Sequence, residues 1–143
     1  MILPGFKAIE YIEAQNLCIN TEEYIREGSV IEALGKFTGI AVVSLIDCKI
    51  SSEAVFNETV YTTVLSFMMK DCGSVRELLY ELTCKDCCFR ITDVYGKQYL
   101  VGTPLRPHPV VQPSFQSEGL PSGLRVFPVK IQYVHTHSIL TLR

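Results

Sequence analysis

Tryptophan is missing from this 143-residue chain, and histidine occurs only at positions 108, 135 and 137. The first absence removes a common ligand-stacking side chain; the second leaves few imidazoles for metal binding or proton transfer. Basic runs are missing too: no stretch of Lys or Arg exceeds two residues, and the formal net charge is −2. Nucleic acid is therefore not an expected partner, because a Lys/Arg stripe is what displaces counterions from phosphates. No apolar run approaches the roughly 20 residues that span a bilayer, so no membrane association is expected. The opening "MILPGFKAIEYIEAQNL" is broken by Pro4, Gly5, Lys7 and two glutamates and lacks the form of a secretory signal. Six cysteines without export imply reduced thiols in a cytosol.

Catalytic signatures are lacking in the same way. There is no G-x-S-x-G turn, no H-E-x-x-H helix, no P-loop and no G-x-G-x-x-G. Asp47, Glu58 and Asp93 are single acids in strands or turns and are expected to be solvated. His108 lies between two prolines and is expected to be exposed. No catalytic residue and no cofactor follow from these patterns.

What the chain does hold is apolar bulk, 48% hydrophobic against 20% charged residues. A single domain over 1–143 buries about 70% of its unfolded surface at this length, so a core needs no staples. Period-two alternation, the strand signature, recurs through most of the chain. "FKAIEYIEA" alternates imperfectly, with both faces mixed. "GIAVVSLIDCKI" (39–50) is apolar on both sides and reads as a buried strand. "EAVFNETVYTTVLSFMMKD" (53–71) is the longest β segment and places Tyr61, Thr63, Leu65, Phe67 and Met69 on one face.

One helix is expected over 74–84. Ser74 and Glu77 form a capping-box pattern, and Val75, Leu78, Leu79 and Leu82 make an amphipathic stripe. About three turns are marginal alone, so this helix must lie on a sheet. "TEEYIREGSVIEALG" (21–35) is a second helical candidate, cut by Gly28. After the first helix, two alternating runs flank "DVYG", whose Asp93 and Gly96 suit a hairpin turn. Residues 104–123, with five prolines, read as a long extended loop that orders on assembly. The tail "LRVFPVKIQYVHTHSILTLR" is again strand, with Pro128 marking a sheet edge that Lys130 scarcely guards. The expected fold is thus α+β and β-rich: an antiparallel sheet or partly closed barrel with one packed helix.

"ELTCKDCCFR" packs Cys84, Cys87 and Cys88 into five positions. A zinc site of Cys84, Cys87, His135 and His137 is geometrically conceivable, since the two histidines share a strand face. Structural zinc, however, needs two ligand pairs, and no second C-x-x-C exists. A redox pair sits at a helix N-terminus, whereas this one follows a helix. Core thiols are the expectation, and no metal.

"FRITDVYGKQYLVGTPLRPHPVV", with its D-x-x-G-K turn and L-V-G-T hairpin, followed by "VKIQYVHTHSILTL" and preceded by "NETVYTTVLSFMMKD", resembles small tail or head–tail structural proteins of Bacteroidetes-type phages and prophages. The opening "LPGFKAIEYI" resembles their first strand. The resemblance implies a non-enzymatic virion subunit that self-associates into a ring or stack, or binds other virion proteins, in the bacterial cytoplasm or the virion. The cysteine cluster and the Pro-rich loop depart from the pattern. The alternatives are a small metal- or thiol-dependent module built on the residues above, and a β-barrel binding a small ligand.

Overall fold

The alternating segments fold as strands, and a computed structural model describes residues 6–19, 30–31, 33–42, 47–113, 118–119, 125–135 and 139–142. In chain order these are β1 (Phe6–Glu13), β2 (Cys18–Ile19), β3 (Val30–Ile31), β4 (Ala33–Leu34), β5 (Thr38–Ile40), β6 (Asp47–Val55) and β7 (Glu58–Lys70). Helix α1 (Gly73–Cys84) follows, then β8 (Cys87–Asp93), β9 (Gln98–Val101), β10 (Val110–Pro113), β11 (Glu118–Gly119), β12 (Arg125–His135) and β13 (Leu140–Leu142). One sheet runs β3-β13-β9-β8-β1-β5, and a second runs β10-β12-β7-β6 with β11 also on β12. β2 and β4 form a small ribbon. All pairings are antiparallel except the short β3–β13 pair. Among the described residues neither sheet closes on itself, and the fold is β-rich α+β rather than a closed barrel.

The two sheets and α1 share one core. Ile9, Phe89, Ile91 and Val101 from the first sheet meet Leu65, Phe67, Phe127, Val129 and Ile131 from the second, with Leu79 and Leu82 of the helix. The opposite face of the first sheet is covered as well: Ile12, Ala14, Leu17, Cys88, Leu100 and Leu140 form a second cluster. This explains why β8 reads apolar at successive positions. Cys87 and Phe89 face one core while Cys88 faces the other.

β1 shows why its alternation looked mixed. Phe6 pairs with Asp93 and Ala8 with Thr92, so Lys7 is an extra residue and the strand bulges there. The bulge lets Phe6 and Ile9 reach the same core, although strict alternation would separate them. Beyond it, Glu10 sits opposite Arg90 and holds the guanidinium by two hydrogen bonds, 3.0 Å from Nε and 2.6 Å from Nη2. The Arg90 guanidinium also lies 4.2 Å above the Phe37 ring.

The helical stripe is borne out: Leu79 and Leu82 are buried, and Val75 and Leu78 pack beside them. Each buried leucine contributes about 1.5–3 kcal/mol. The cap is not where the capping box put it. Cys72, in extended backbone leaving β7, is the N-cap, and its own side chain makes no capping hydrogen bond. Helix bonding starts at Arg76 N–H to the Cys72 carbonyl, which leaves Ser74 inside the first turn. The β8–β9 hairpin forms as expected, with Gly96 at φ +86. Its Asp93 is buried, contrary to expectation, because Oδ1 accepts the backbone N–H of both Tyr95 and Lys97 at 2.9 Å.

Other expectations need correcting. Val30–Ile31 and Ala33–Leu34 are strands, not the end of a helix, and 20–29 lie outside the described residues. The run 39–50 is no single strand: β5 belongs to one sheet and β6 to the other. An apolar run without period does not distinguish a strand buried on both faces from a passage between two sheets. The segment 53–71 is likewise two strands, because Phe56 and Asn57, both at positive φ, turn the chain between β6 and β7. The predicted inward face of β7 holds, with Thr63, Leu65, Phe67 and Met69 all buried. Pro128 sits in β12, which is internal and pairs with β7 from Val126 to His135. The loop 104–123 contains strand β10, which keeps Pro113 at the end of an outer strand, where its missing N–H does least harm.

Candidate functional site

Two clefts among the described residues lie where α1 ends. Lys85 caps the helix, its N–H donating to the Glu81 carbonyl at 3.1 Å, and Asp86 leads into β8. The Asp86 carbonyl accepts the Ala14 N–H at 2.9 Å, which fastens the end of β1 to this turn. From the other side comes the segment after β9. Gly102, at φ +99, lets the chain turn, and the buried thiol of Cys88 donates to the Thr103 carbonyl at 3.3 Å. The Thr103 side chain then closes a turn on Leu105: its hydroxyl accepts the Leu105 N–H and donates to the Leu105 carbonyl. The Arg106–Pro107 peptide is cis.

A cleft of about 600 Å³ opens between these segments, walled by Glu13, Ala14, Gln15, Pro104 and Leu105. A second, of about 410 Å³, lies on the helix side against Leu82, Thr83 and β10. Lys85, Asp86, Arg106 and His108 border both. His108 is not exposed as expected: its side chain is only 11% accessible. Its Nε2 lies 3.3 Å from the Pro104 carbonyl and its Nδ1 3.6 Å from the Asp86 carboxylate, so the ring pins the loop to the helix end.

The polar groups here are largely spent on one another. Lys85 Nζ reaches Glu13 Oε1 at 3.0 Å and Glu81 Oε1 at 2.8 Å. Those two carboxylates raise the Lys85 pKa, and the lysine in turn, with Gln15 assisting, lowers that of Glu13. Lys85 is therefore held as an ammonium ion and is no nucleophile. Among the described residues Arg106 alone in the cleft has no ion-pair partner. Ala14, Pro104 and Leu105 offer apolar surface here and Arg106 a cation, while His108 contacts a carbonyl and a carboxylate.

The zinc constellation is not assembled in the described residues. Cys84 is exposed at the end of α1, Cys87 is buried in the main core, and His135 stacks on Tyr133 with centroids 5.7 Å apart. His137 lies outside the described residues. No group of three or more His, Cys, Asp or Glu is placed to hold a metal among those described. Burial pushes the thiol pKa of Cys87 up to about 11 and those of Cys88 and Cys48 to about 12, as suits inert core residues. No described helix is long and apolar enough to cross a membrane.

Two features escaped the sequence. One is Cys72, half-buried at the N-cap of α1, whose Sγ lies 3.3 Å from the Ser74 hydroxyl. That hydroxyl lowers the Cys72 pKa, and the polar N–H of Val75 acts in the same sense. The signal was available, since Cys72 immediately precedes Gly73 and the helical stripe. The other is an arm. β12 ends opposite Tyr61, so the β6–β7 hairpin from Glu53 to Val60 has no third strand among the described residues. Residues 51–59 are exposed, and Phe56 at the tip is 96% accessible. No family model matches the chain, and no curated protein or solved structure matches it.

Proposed function

We propose that the chain is a non-enzymatic assembly subunit that associates with copies of itself, a virion tail or head–tail component of the type its sequence resembles. The observation that carries the self-association is the β6–β7 arm. A two-stranded hairpin is marginal in water, and this one ends in a phenylalanine at φ +50, a conformation unfavourable for a bulky side chain. Strain and exposed apolar surface at one point suit a contact made with another molecule. Light scattering coupled to size exclusion over a wide concentration range tests the reading. Mass rising above the monomer with concentration, with rings or short tubes in negative stain, is expected. A clean monomer at every concentration overturns it.

A further inference from the structure

The arm and the cleft fit one another across two copies of the chain. Resting on the assembly reading, we infer that Phe56 of one copy enters the cleft beside Lys85 and Arg106 of the next, making a head-to-tail contact.

The arm supplies an apolar knob with acidic flanks. Glu53 and Glu58 are its only charged residues between 53 and 60, and Val55, 37% accessible, adds to the apolar end. The overhang extends roughly 10 Å past the last β12 partner, at about 3.4 Å per residue. That is long enough to enter a cavity rather than merely touch a surface. Phe56 also occupies a turn position that Asn or Gly would fill without strain. Keeping a phenylalanine there makes sense if its ring is buried elsewhere.

The cleft supplies the complementary features. Its volume, about 600 Å³, lies within the range of pockets that enclose small groups. Ala14, Pro104 and Leu105 give it apolar walls, and Leu105 is 53% accessible in the isolated chain. Of its two carboxylates, Glu13 is engaged by Lys85 and Gln15, and Asp86, 65% accessible, lies 3.6 Å from His108. Arg106 is left to meet an incoming carboxylate, and the arm brings Glu58 within two residues of Phe56. An aromatic anchor in an apolar socket with a charged rim is the usual form of an interaction hot spot.

Because arm and cleft are different surfaces, the contact is heterologous and repeats until a ring closes or a filament runs on. Complementation between variants tests this directly. Phe56→Gly removes the knob and relieves the positive φ, so the isolated chain should melt no lower than the wild type. Leu105→Asp spoils the socket and leaves the arm intact. Each variant alone should associate at least roughly 30-fold more weakly than the wild type, the size of a hot-spot loss. Mixed, they should form a dimer that does not extend, since one copy offers only a cleft and the other only an arm. Glu58→Arg and Arg106→Glu should each weaken association and partly restore it when combined in one chain. Wild-type assembly with Phe56→Gly assembling equally well would overturn the contact alone. Failure of the two variants to complement would do the same. A monomeric wild type would overturn both the contact and the assembly reading.

Discussion

Replacing Gly102 with alanine tests how the wall of the cleft is held. Gly102 sits at φ +99, where an L side chain is strained by about 1–2 kcal/mol. A Cβ there would come within 2.9 Å of two Pro109 ring carbons and 3.1 Å of the Cys88 sulfur. Pro109 is buried and its ring is stiff, and Cys88 is fully buried, so neither neighbour moves aside easily. Overpacking of this kind adds about 1–3 kcal/mol, for a total of roughly 2–5 kcal/mol. Against a whole-domain stability of about 5–15 kcal/mol that is a large fraction. Urea unfolding should show a lower midpoint with an unchanged slope. Cys88→Ala in the same chain should recover part of the loss by removing the sulfur contact, while the Pro109 contact and the backbone strain persist. A loss below about 1 kcal/mol would mean that the segment after Gly102 does not pack on β8 as described.

Thr63 offers the opposite expectation. Its buried hydroxyl has no hydrogen-bond partner among the described residues, so Thr63→Val should leave stability unchanged or raise it by about 1 kcal/mol; a clear loss in a chemical melt would reveal a partner. Arg90→Lys should cost about 1 kcal/mol, because lysine reproduces neither the two-point grip on Glu10 nor the stacking on Phe37. No change in unfolding midpoint would put that pair among surface bridges of negligible worth. Cys72 should be alkylated at lower pH than an ordinary thiol, because a lowered pKa leaves more thiolate at neutrality, and Ser74→Ala should move the rate profile to higher pH. Mass spectrometry of timed labelling would show this, and a profile indifferent to Ser74 would refute the stated cause. Elemental analysis of protein prepared without chelator should find no stoichiometric zinc, since Cys87 is committed to the core.

Local chemistry was legible and tertiary chemistry was not. The stripe Val75, Leu78, Leu79, Leu82 and the Asp93–Gly96 turn are written within a few residues of one another, and both appear as read. The arm was hidden because Phe56 masks a turn: neither Phe nor the preceding Val signals a break, and only Asn57 tolerates positive φ readily. Ser74 and Glu77 matched a capping box in spacing, but the extended backbone leaving β7 starts the helix two residues earlier. Pro128 suggests an edge in the sequence because its cost depends on what flanks the strand, which the sequence does not state. The burial of His108 is hidden for the same reason: the Asp86 beside it lies 22 residues upstream, across the β8–β9 hairpin.

The order of pairing carries a kinetic consequence. β1 lies between β8 and β5, and its longest partner begins at Cys87, so its two apolar faces wait for a segment some eighty residues away. β12 must likewise find β7 across the whole helix and the β8–β9 hairpin. Closing such long loops before any contact rewards them makes folding slow. The one long pairing that forms locally is β6 with β7, joined by only two residues. That hairpin is the natural place for the chain to begin, and its first turn is the strained Phe56–Asn57 pair. The residue that best suits the arm to a partner is thus one that retards the earliest step in making it.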